Sequence, residues 1–100
     1  EFAIILAGFG EDAVHRTAEE IRQAVMNTPF VNIANGANYG PVTVSLGICM
    51  AAQAKGPDDL YAKADRALYT SKAAGRNRVT KFSQLEDGGL LKNWLIYRKD

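Results

Sequence analysis

Two basic residues near the end of a predicted helix form the clearest candidate site in the sequence. Lys72 lies one turn before the predicted helix end, and Arg76 directly follows Gly75, a residue type that commonly caps helix C-termini. Both cations could therefore meet at the turn that leads into the next strand. An ammonium group beside a planar guanidinium suits the oxygens of a di- or triphosphate. The pair predicts a phosphate site, unless the cations only complement the helix dipole.

Other titratable and aromatic residues give weaker signals. His15 falls on the polar side of its predicted helix, without a second His or Cys nearby, so we expect a solvated surface residue. Asp65 is expected to serve helix packing or a local ion pair, and Tyr61 and Tyr69 are expected at the edge of the core. Trp94 could cover the domain's own surface or contact a partner, and the sequence favours neither.

The composition is typical of a folded, soluble chain without a strong overall charge. The 100 residues are 47% hydrophobic and 23% charged, with a formal net charge of +1. This charge gives no general attraction to nucleic acid or anionic lipid, so we expect contact with neither, and any anion site must be built locally. The single cysteine, Cys49, cannot form an internal disulfide, which favours a reducing compartment and a cytoplasmic location.

The helices that would position the two cations follow from the spacing of apolar residues. Residues 2–6 form a short apolar run closed by glycines, which predicts a buried strand. Apolar residues within 11–26 recur at helical spacing and predict an amphipathic helix. Pro57, followed by two aspartates, is typical of the first turn of a second helix, which we expect to end at Gly75.

Three further runs have the character of strands. Residues 30–34 and 42–50 flank a loop rich in Asn and Gly, which is typical of a hairpin. Along the second run, the small residues Ser45 and Gly47 share one face and leave space for a backbone or ligand to approach. Residues 77–82 are predicted as the last strand. The order strand, helix, hairpin, helix, strand predicts an α/β sandwich with helices packed on a mixed sheet.

Three segments resemble the GGDEF domain, the catalytic domain of diguanylate cyclases. Residues 64–79, with Tyr-x-x-Lys and then Gly-Arg-Asn, are similar to the closing motif of that family. Residues 43–47, Thr-Val-Ser-Leu-Gly, are similar to its internal strand, and the opening Glu-Phe is similar to the end of its signature. The resemblance implies that residues 1–82 are the C-terminal part of a GGDEF domain and that residues 83–100 are a tail, which we expect to contain a short helix.

The resemblance carries expectations about fold and chemistry. It implies part of a palm-like nucleotidyl cyclase fold with a mixed, mainly antiparallel sheet. In the family, two GTP-loaded domains meet as a homodimer and form cyclic di-GMP and pyrophosphate. Glu1 matches the fourth signature position, which implies a catalytic carboxylate that holds Mg²⁺ or Mn²⁺. Lys72 and Arg76 match positions that bind the GTP phosphates.

The resemblance also leaves alternatives open. The first three signature positions would precede Glu1, so we expect the 100-residue chain to be inactive by itself. Some members use an arginine on the helix after the signature for an inhibitory site; Glu20 stands there, with Arg16 and Arg22 nearby, and we assign no such role. A degenerate GGDEF module that binds nucleotide or a partner without catalysis is the alternative function. An unrelated α/β fold would show a different strand order.

Overall fold

The computed structural model describes residues 2–38, 40 and 42–85. In chain order the elements are α1 (Glu11–Met26), β1 (Leu46–Ile48), a short 3-10 turn (Ala51–Gln53), α2 (Pro57–Ala73), β2 (Val79–Lys81) and α3 (Phe82–Leu85). The predicted bounds of the first helix and the predicted start of the second are confirmed. None of the helices in this part of the chain is long and apolar enough to cross a membrane.

Helix α1 has one face toward the rest of the domain. Ala18 is its buried residue, and Glu11 and Asp12 in its first turn complement the positive end of the helix dipole. The helix ends at Met26, where the N–H of Asn27 donates to the carbonyl oxygen of Gln23 at 2.9 Å. Pro29 follows two residues after Asn27, and a proline at that position is incompatible with continuation of the helix.

Strands β1 and β2 are parallel neighbours joined through α2. Leu46 pairs with Val79, Gly47 with Thr80, and Ile48 with Lys81. Parallel strands need a crossover connection to bring the chain back to the same end of the sheet, and here α2 provides it. We call residues 46–81 the βαβ unit.

Helix α2 packs directly on β1 at Gly47. A β-carbon at this position would overlap the backbone of Ala64, Ala67 and Leu68. Both Ala67 and Ser71 on this side of α2 are fully buried. The space predicted beside Gly47 is therefore filled by the helix backbone, and the small residues of α2 allow the close approach.

Hydrogen bonds inside the βαβ unit join the helix to both strands. The hydroxyl of Ser71 donates to the carbonyl oxygen of Leu46 at 2.8 Å and lies 2.7 Å from the hydroxyl of Thr80. Because Ser71 has one hydroxyl hydrogen, this arrangement leaves Thr80 as the donor in the second bond. Next to this network, Phe82 and Leu85 of α3 pack with Ala67 in a small apolar core.

The predicted mixed, mainly antiparallel sheet is wrong for the described residues, where the sheet has two parallel strands. The predicted buried strand at 2–6 is absent, and Phe2 and Ile5 are 98% and 92% exposed. An apolar run becomes a strand only when a neighbour takes up its backbone N–H and C=O groups. None of the described residues pairs with this run.

The predicted hairpin is reduced to one antiparallel bridge between Val31 and Asn38. Three side-chain oxygens in its loop accept hydrogen bonds from backbone N–H groups two residues on, at 2.8 to 2.9 Å; they belong to Asn32, Asn35 and Asn38. Such local bonds compete with a strand ladder. Of the predicted strand 42–50, only residues 46–48 pair with a neighbouring strand in the described structure, because β2 is three residues long and pairs with these three.

The last predicted strand, 77–82, is shorter in the structure. Asn77 has a left-handed backbone and Phe82 begins α3, so the ladder is confined to Val79–Lys81. The short helix predicted near Trp94 lies outside the described residues, and the division between residues 1–82 and 83–100 stays a prediction.

Candidate functional site

The predicted phosphate site lies on the turn between α2 and β2. The N–H of Arg76 donates to the carbonyl oxygen of Ser71 at 3.0 Å, and the N–H of Gly75 donates to that of Lys72 at 3.4 Å. These two bonds form a Schellman motif, in which the residue after the helix takes a left-handed conformation. Gly75 has φ of 120°, so the predicted capping role of this glycine is confirmed.

Two residues after Gly75 continue in left-handed backbone conformations. Arg76 has φ of 66° and Asn77 has φ of 50°. For residues with a β-carbon this conformation costs about 1–2 kcal/mol each, less for Asn. Such conformations persist only where the surrounding structure holds them, and they are often found at functional sites. The turn therefore needs supporting contacts.

Asn77 makes the contacts that hold the turn. Its backbone N–H donates to the hydroxyl oxygen of Ser45 at 3.1 Å, just before β1. Its side-chain oxygen accepts from Nη1 of Arg22 at 3.1 Å, and its side-chain nitrogen donates to the sulfur of Met26 at 3.5 Å. Asn77 is thus tied both to α1 and to the segment leading into β1.

Arg22 is itself held by a carboxylate on the same helix. Its Nη2 lies 2.9 Å from Oε2 of Glu19, and its Nε donates to both carboxylate oxygens at 3.2 Å. The hydrogen bond from Arg22 lowers the pKa of Glu19, and the same bond raises the pKa of Arg22. Three of the guanidinium contacts go to Glu19, and Nη1 is directed to the turn.

Lys72, at the end of α2, and Arg76, on the turn that follows, are both exposed, as a site open to a ligand requires. Within the described residues neither side chain has a hydrogen bond or an ion pair, so no carboxylate there neutralises the two cations. Lys72 also lies in the last turn of α2, where it complements the helix dipole. Arg76 lies beyond the helix end.

Glu1, the third predicted site residue, lies outside the described residues. Among those that are described, no group of three or more His, Cys, Asp or Glu side chains could hold a metal ion. The described residues by themselves therefore do not build a metal site.

Sequence reasoning did not assign roles to the residues that support the turn, namely Arg22, Ser45 and Asn77. A Glu and an Arg three positions apart on a helix predict a local ion pair. An Asn directly after a glycine and a basic residue is typical of left-handed backbone. Nothing in the sequence connected the two signals, because they are 55 residues apart in the chain.

The weaker candidates remain without a site. His15 is half-buried and Asp65 is exposed. Tyr61 and Tyr69 expose 56% and 44% of their surface, respectively. The hydrogen bonds that Asn77 makes at the turn between α2 and β2 go to Ser45, Arg22 and Met26 and involve none of these four residues.

Comparison with known proteins places the sequence in one family. The model of the family "Diguanylate cyclase, GGDEF domain" matches residues 1–78. Over 80 residues, the chain is 36% identical to the response regulator PleD of Caulobacter vibrioides, covering 79% of this chain and 17% of PleD. Over 79 residues it is 39% identical to the diguanylate cyclase DosC of Escherichia coli, covering 79% of this chain and 17% of DosC.

A solved structure shares the fold as well. The GGDEF domain of DgcB from Caulobacter crescentus, crystallised in complex with c-di-GMP, superposes with a TM-score of 0.68 at 33% identity. The match covers 74% of this chain and 42% of that one. The chain belongs to the GGDEF domain family. It has an α/β fold and spans less than a quarter of the length of the curated relatives it matches.

Proposed function

We propose that this chain is part of a diguanylate cyclase, which condenses two GTP molecules into cyclic di-GMP. Each 3′-hydroxyl attacks the α-phosphate of the other GTP, so two phosphoester bonds form and two pyrophosphates leave. The observation that carries the proposal is the turn with two exposed cations, Lys72 and Arg76, in a chain of the GGDEF family. DosC, among its relatives, is a diguanylate cyclase.

The two cations have distinct parts in the proposal. Arg76 offers a planar fork that can bind two phosphate oxygens at once, and Lys72 offers a compact point charge. Together they bind the phosphates of GTP and stabilise the charge that builds up as pyrophosphate leaves. Both are exposed and have no internal partner among the described residues, so a triphosphate could reach them directly.

Glu1 is proposed to hold a divalent cation, Mg²⁺ or Mn²⁺, as the catalytic carboxylate. A bound cation of this kind neutralises phosphate charge and orients the attacking and leaving oxygens. Because the attack is reciprocal, the proposal also requires a homodimer in which each domain brings one GTP. The reaction is placed in the cytoplasm, in keeping with the single cysteine of the chain.

The 100-residue chain by itself is proposed to make no product. The signature of the family consists of two glycines and two acidic residues before the phenylalanine, and within these 100 residues only Glu1 is matched to one of the acidic positions. In the family, that glycine turn lies against the nucleotide. Binding without catalysis is therefore the second candidate function, and the cationic turn supports it equally, because an exposed lysine and arginine can bind phosphate oxygens whether or not a reaction follows.

The test uses the full-length gene product, purified and incubated with GTP and Mg²⁺. Cyclic di-GMP is quantified by liquid chromatography and mass spectrometry. We expect product from the unaltered protein, and Lys72→Ala or Arg76→Ala to raise the KM for GTP about tenfold or more, since each removes a charged hydrogen bond to phosphate. The 100-residue chain is assayed in parallel and should yield no product.

Matched controls are available among the other exposed cations of the chain. Lys55→Ala and Arg16→Ala each remove one exposed cation away from the turn and should leave the KM for GTP within twofold or so. Product formation that is insensitive to both Lys72→Ala and Arg76→Ala would contradict the assigned roles. GTP binding without any cyclic di-GMP would favour the degenerate module instead.

A further inference from the structure

The contact between Arg22 of α1 and Asn77 of the α2–β2 turn joins two parts of the chain that are far apart in sequence. Nη1 of Arg22 lies 3.1 Å from Oδ1 of Asn77, and this hydrogen bond links α1 to the turn beside the weaker contact of the Asn77 side-chain nitrogen with the sulfur of Met26. We call Arg22 and Asn77, with Glu19, the α1–turn clamp. Neither Arg22 nor Asn77 has a role in the proposed chemistry so far.

The turn has a reason to need such a clamp. Arg76 and Asn77 are consecutive left-handed residues with β-carbons, at φ of 66° and 50°. Without support the backbone would relax toward more common conformations. Because Arg76 directly precedes Asn77, a change at Asn77 would redirect the guanidinium of Arg76. The conformation of Asn77 therefore sets where the cation points.

The clamp is itself rigid on the side of α1. Glu19 accepts from Nε and Nη2 of Arg22, which fixes the plane of the guanidinium. Once those two nitrogens are held, the remaining one, Nη1, faces Asn77. The Arg22 side chain is only 17% exposed, so it is less free to move than a surface arginine.

The charge of Arg22 does not make it a third phosphate ligand. Its positive charge is compensated by the carboxylate of Glu19 at 2.9 Å. Lys72 and Arg76, by contrast, have no carboxylate partner among the described residues. A triphosphate would therefore be attracted to the turn, while Arg22 remains committed to Glu19 and Asn77.

We propose that Arg22 and Asn77 are positioning residues, which hold the turn that carries Lys72 and Arg76 in the conformation that binds the triphosphate of GTP. This inference rests on the proposed function. It adds to the phosphate site two residues that do not contact the ligand themselves but hold residues that do. Arg22 acts by way of Asn77, and Asn77 acts by fixing the backbone next to Arg76.

The experiment is a double-mutant cycle on GTP affinity, measured by calorimetry with the full-length gene product. Asn77→Gly keeps the left-handed backbone accessible and removes the acceptor, and Arg22→Ala removes the donor. We expect each variant to weaken GTP binding about tenfold, as for loss of a hydrogen bond to a charged group. The double variant should bind GTP no more weakly than the weaker-binding single variant, because both changes remove the same Arg22–Asn77 hydrogen bond.

Three further measurements separate positioning from other effects. Arg22→Lys keeps the charge but lacks the fork that can hold Glu19 and Asn77 together, so it should weaken GTP binding like Arg22→Ala, even if the alanine variant folds poorly. GMP affinity should change less than GTP affinity, since the clamp acts on the phosphate cations; general structural damage would weaken both equally. Arg16→Ala removes a cation from α1 without touching the clamp and should bind GTP normally.

The outcomes are distinct. Losses that multiply in the double variant would overturn the inference, because Arg22 would then act by its charge and not through Asn77. Unchanged GTP affinity in Arg22→Lys and Asn77→Gly would overturn it while leaving the proposed function intact. Failure of the unaltered protein to bind GTP would overturn both.

Discussion

The βαβ unit and the apolar segments that precede it differ sharply in burial, although both contain β-branched and aromatic residues. Ile48 in β1 is 6% exposed, whereas Ile33 in the loop segment after α1 is 99% exposed. Ile48 lies in a strand that has a hydrogen-bonded neighbour and a helix above it. Ile33 lies between Asn residues whose side chains bond to the local backbone.

The difference shows what an apolar run needs in order to be buried. Hydrophobic side chains favour burial in any segment, but an extended backbone also requires a partner for its N–H and C=O groups. Residues 46–48 find that partner in β2, which α2 returns to the same end of the sheet. Residues 2–6 find none among the described residues.

The largest effect that would test this comparison is the loss of a core side chain. Ile48→Ala should lower the free energy of unfolding by about 2–5 kcal/mol, because it truncates a buried side chain and leaves a cavity beside β1. Ile33→Ala removes the same atoms from an exposed site and should change it by about 0.5 kcal/mol or less. Urea denaturation of the full chain measures both; equal losses would show that the two regions do not differ in stability as their burial indicates.

A second test targets the close packing of helix on strand. Gly47→Ala introduces a β-carbon that would overlap the backbone of α2, and backbone cannot yield as a side chain does. We expect a loss of about 3 kcal/mol, the upper part of the usual range for overpacking. Thermal and urea unfolding would measure it.

Gly10→Ala is the matched control for Gly47→Ala. A β-carbon at Gly10 would meet open space, and its φ of −77° suits any residue. As an N-cap change it should cost about 1 kcal/mol at most. A loss at Gly10 as large as that at Gly47 would mean that glycine at 47 is not required by packing.

The sequence predicted elements well where the signal is local. The helical spacing of apolar residues predicted α1, Pro57 followed by two aspartates predicted the start of α2, and Gly75 predicted the capping turn. Each of these depends on residues within a turn or two of each other. The family resemblance also follows from short segments and is confirmed by the match over residues 1–78.

Predictions that depend on distant partners were less successful. The strand at 2–6 and the long strand at 42–50 were inferred from apolar pattern alone, which does not reveal the neighbour in a sheet. The clamp between Arg22 and Asn77 was missed for the same reason, since its two halves are 55 residues apart. The exposed cations Lys72 and Arg76 were located by motif, and their roles stay predictions.

The smallest expected effect concerns the clamp, where α1 meets the βαβ unit. Arg22 lowers the pKa of Glu19 below its ordinary value, so the folded state binds the Glu19 proton less readily than the unfolded chain does. The ion pair therefore adds stability that is fully present above the unfolded pKa of about 4.3 and is lost as the pH falls through the lower folded pKa. Glu19→Gln should lower the melting temperature slightly at pH 7.

The difference in melting temperature between Glu19→Gln and the unaltered protein should shrink as the pH falls through the lowered folded pKa of Glu19, because below it the carboxylate is protonated in both the folded and the unfolded state. Glu20→Gln is the matched control, since Glu20 is exposed on the same helix and no ion pair to it is formed within the described residues. The melting temperature of Glu20→Gln should differ from that of the unaltered protein by an amount that does not depend on pH. A difference in melting temperature for Glu19→Gln that persists or widens in acid would mean that Glu19 supports the turn through packing. The clamp would then depend on the shape of Arg22 more than on its charge.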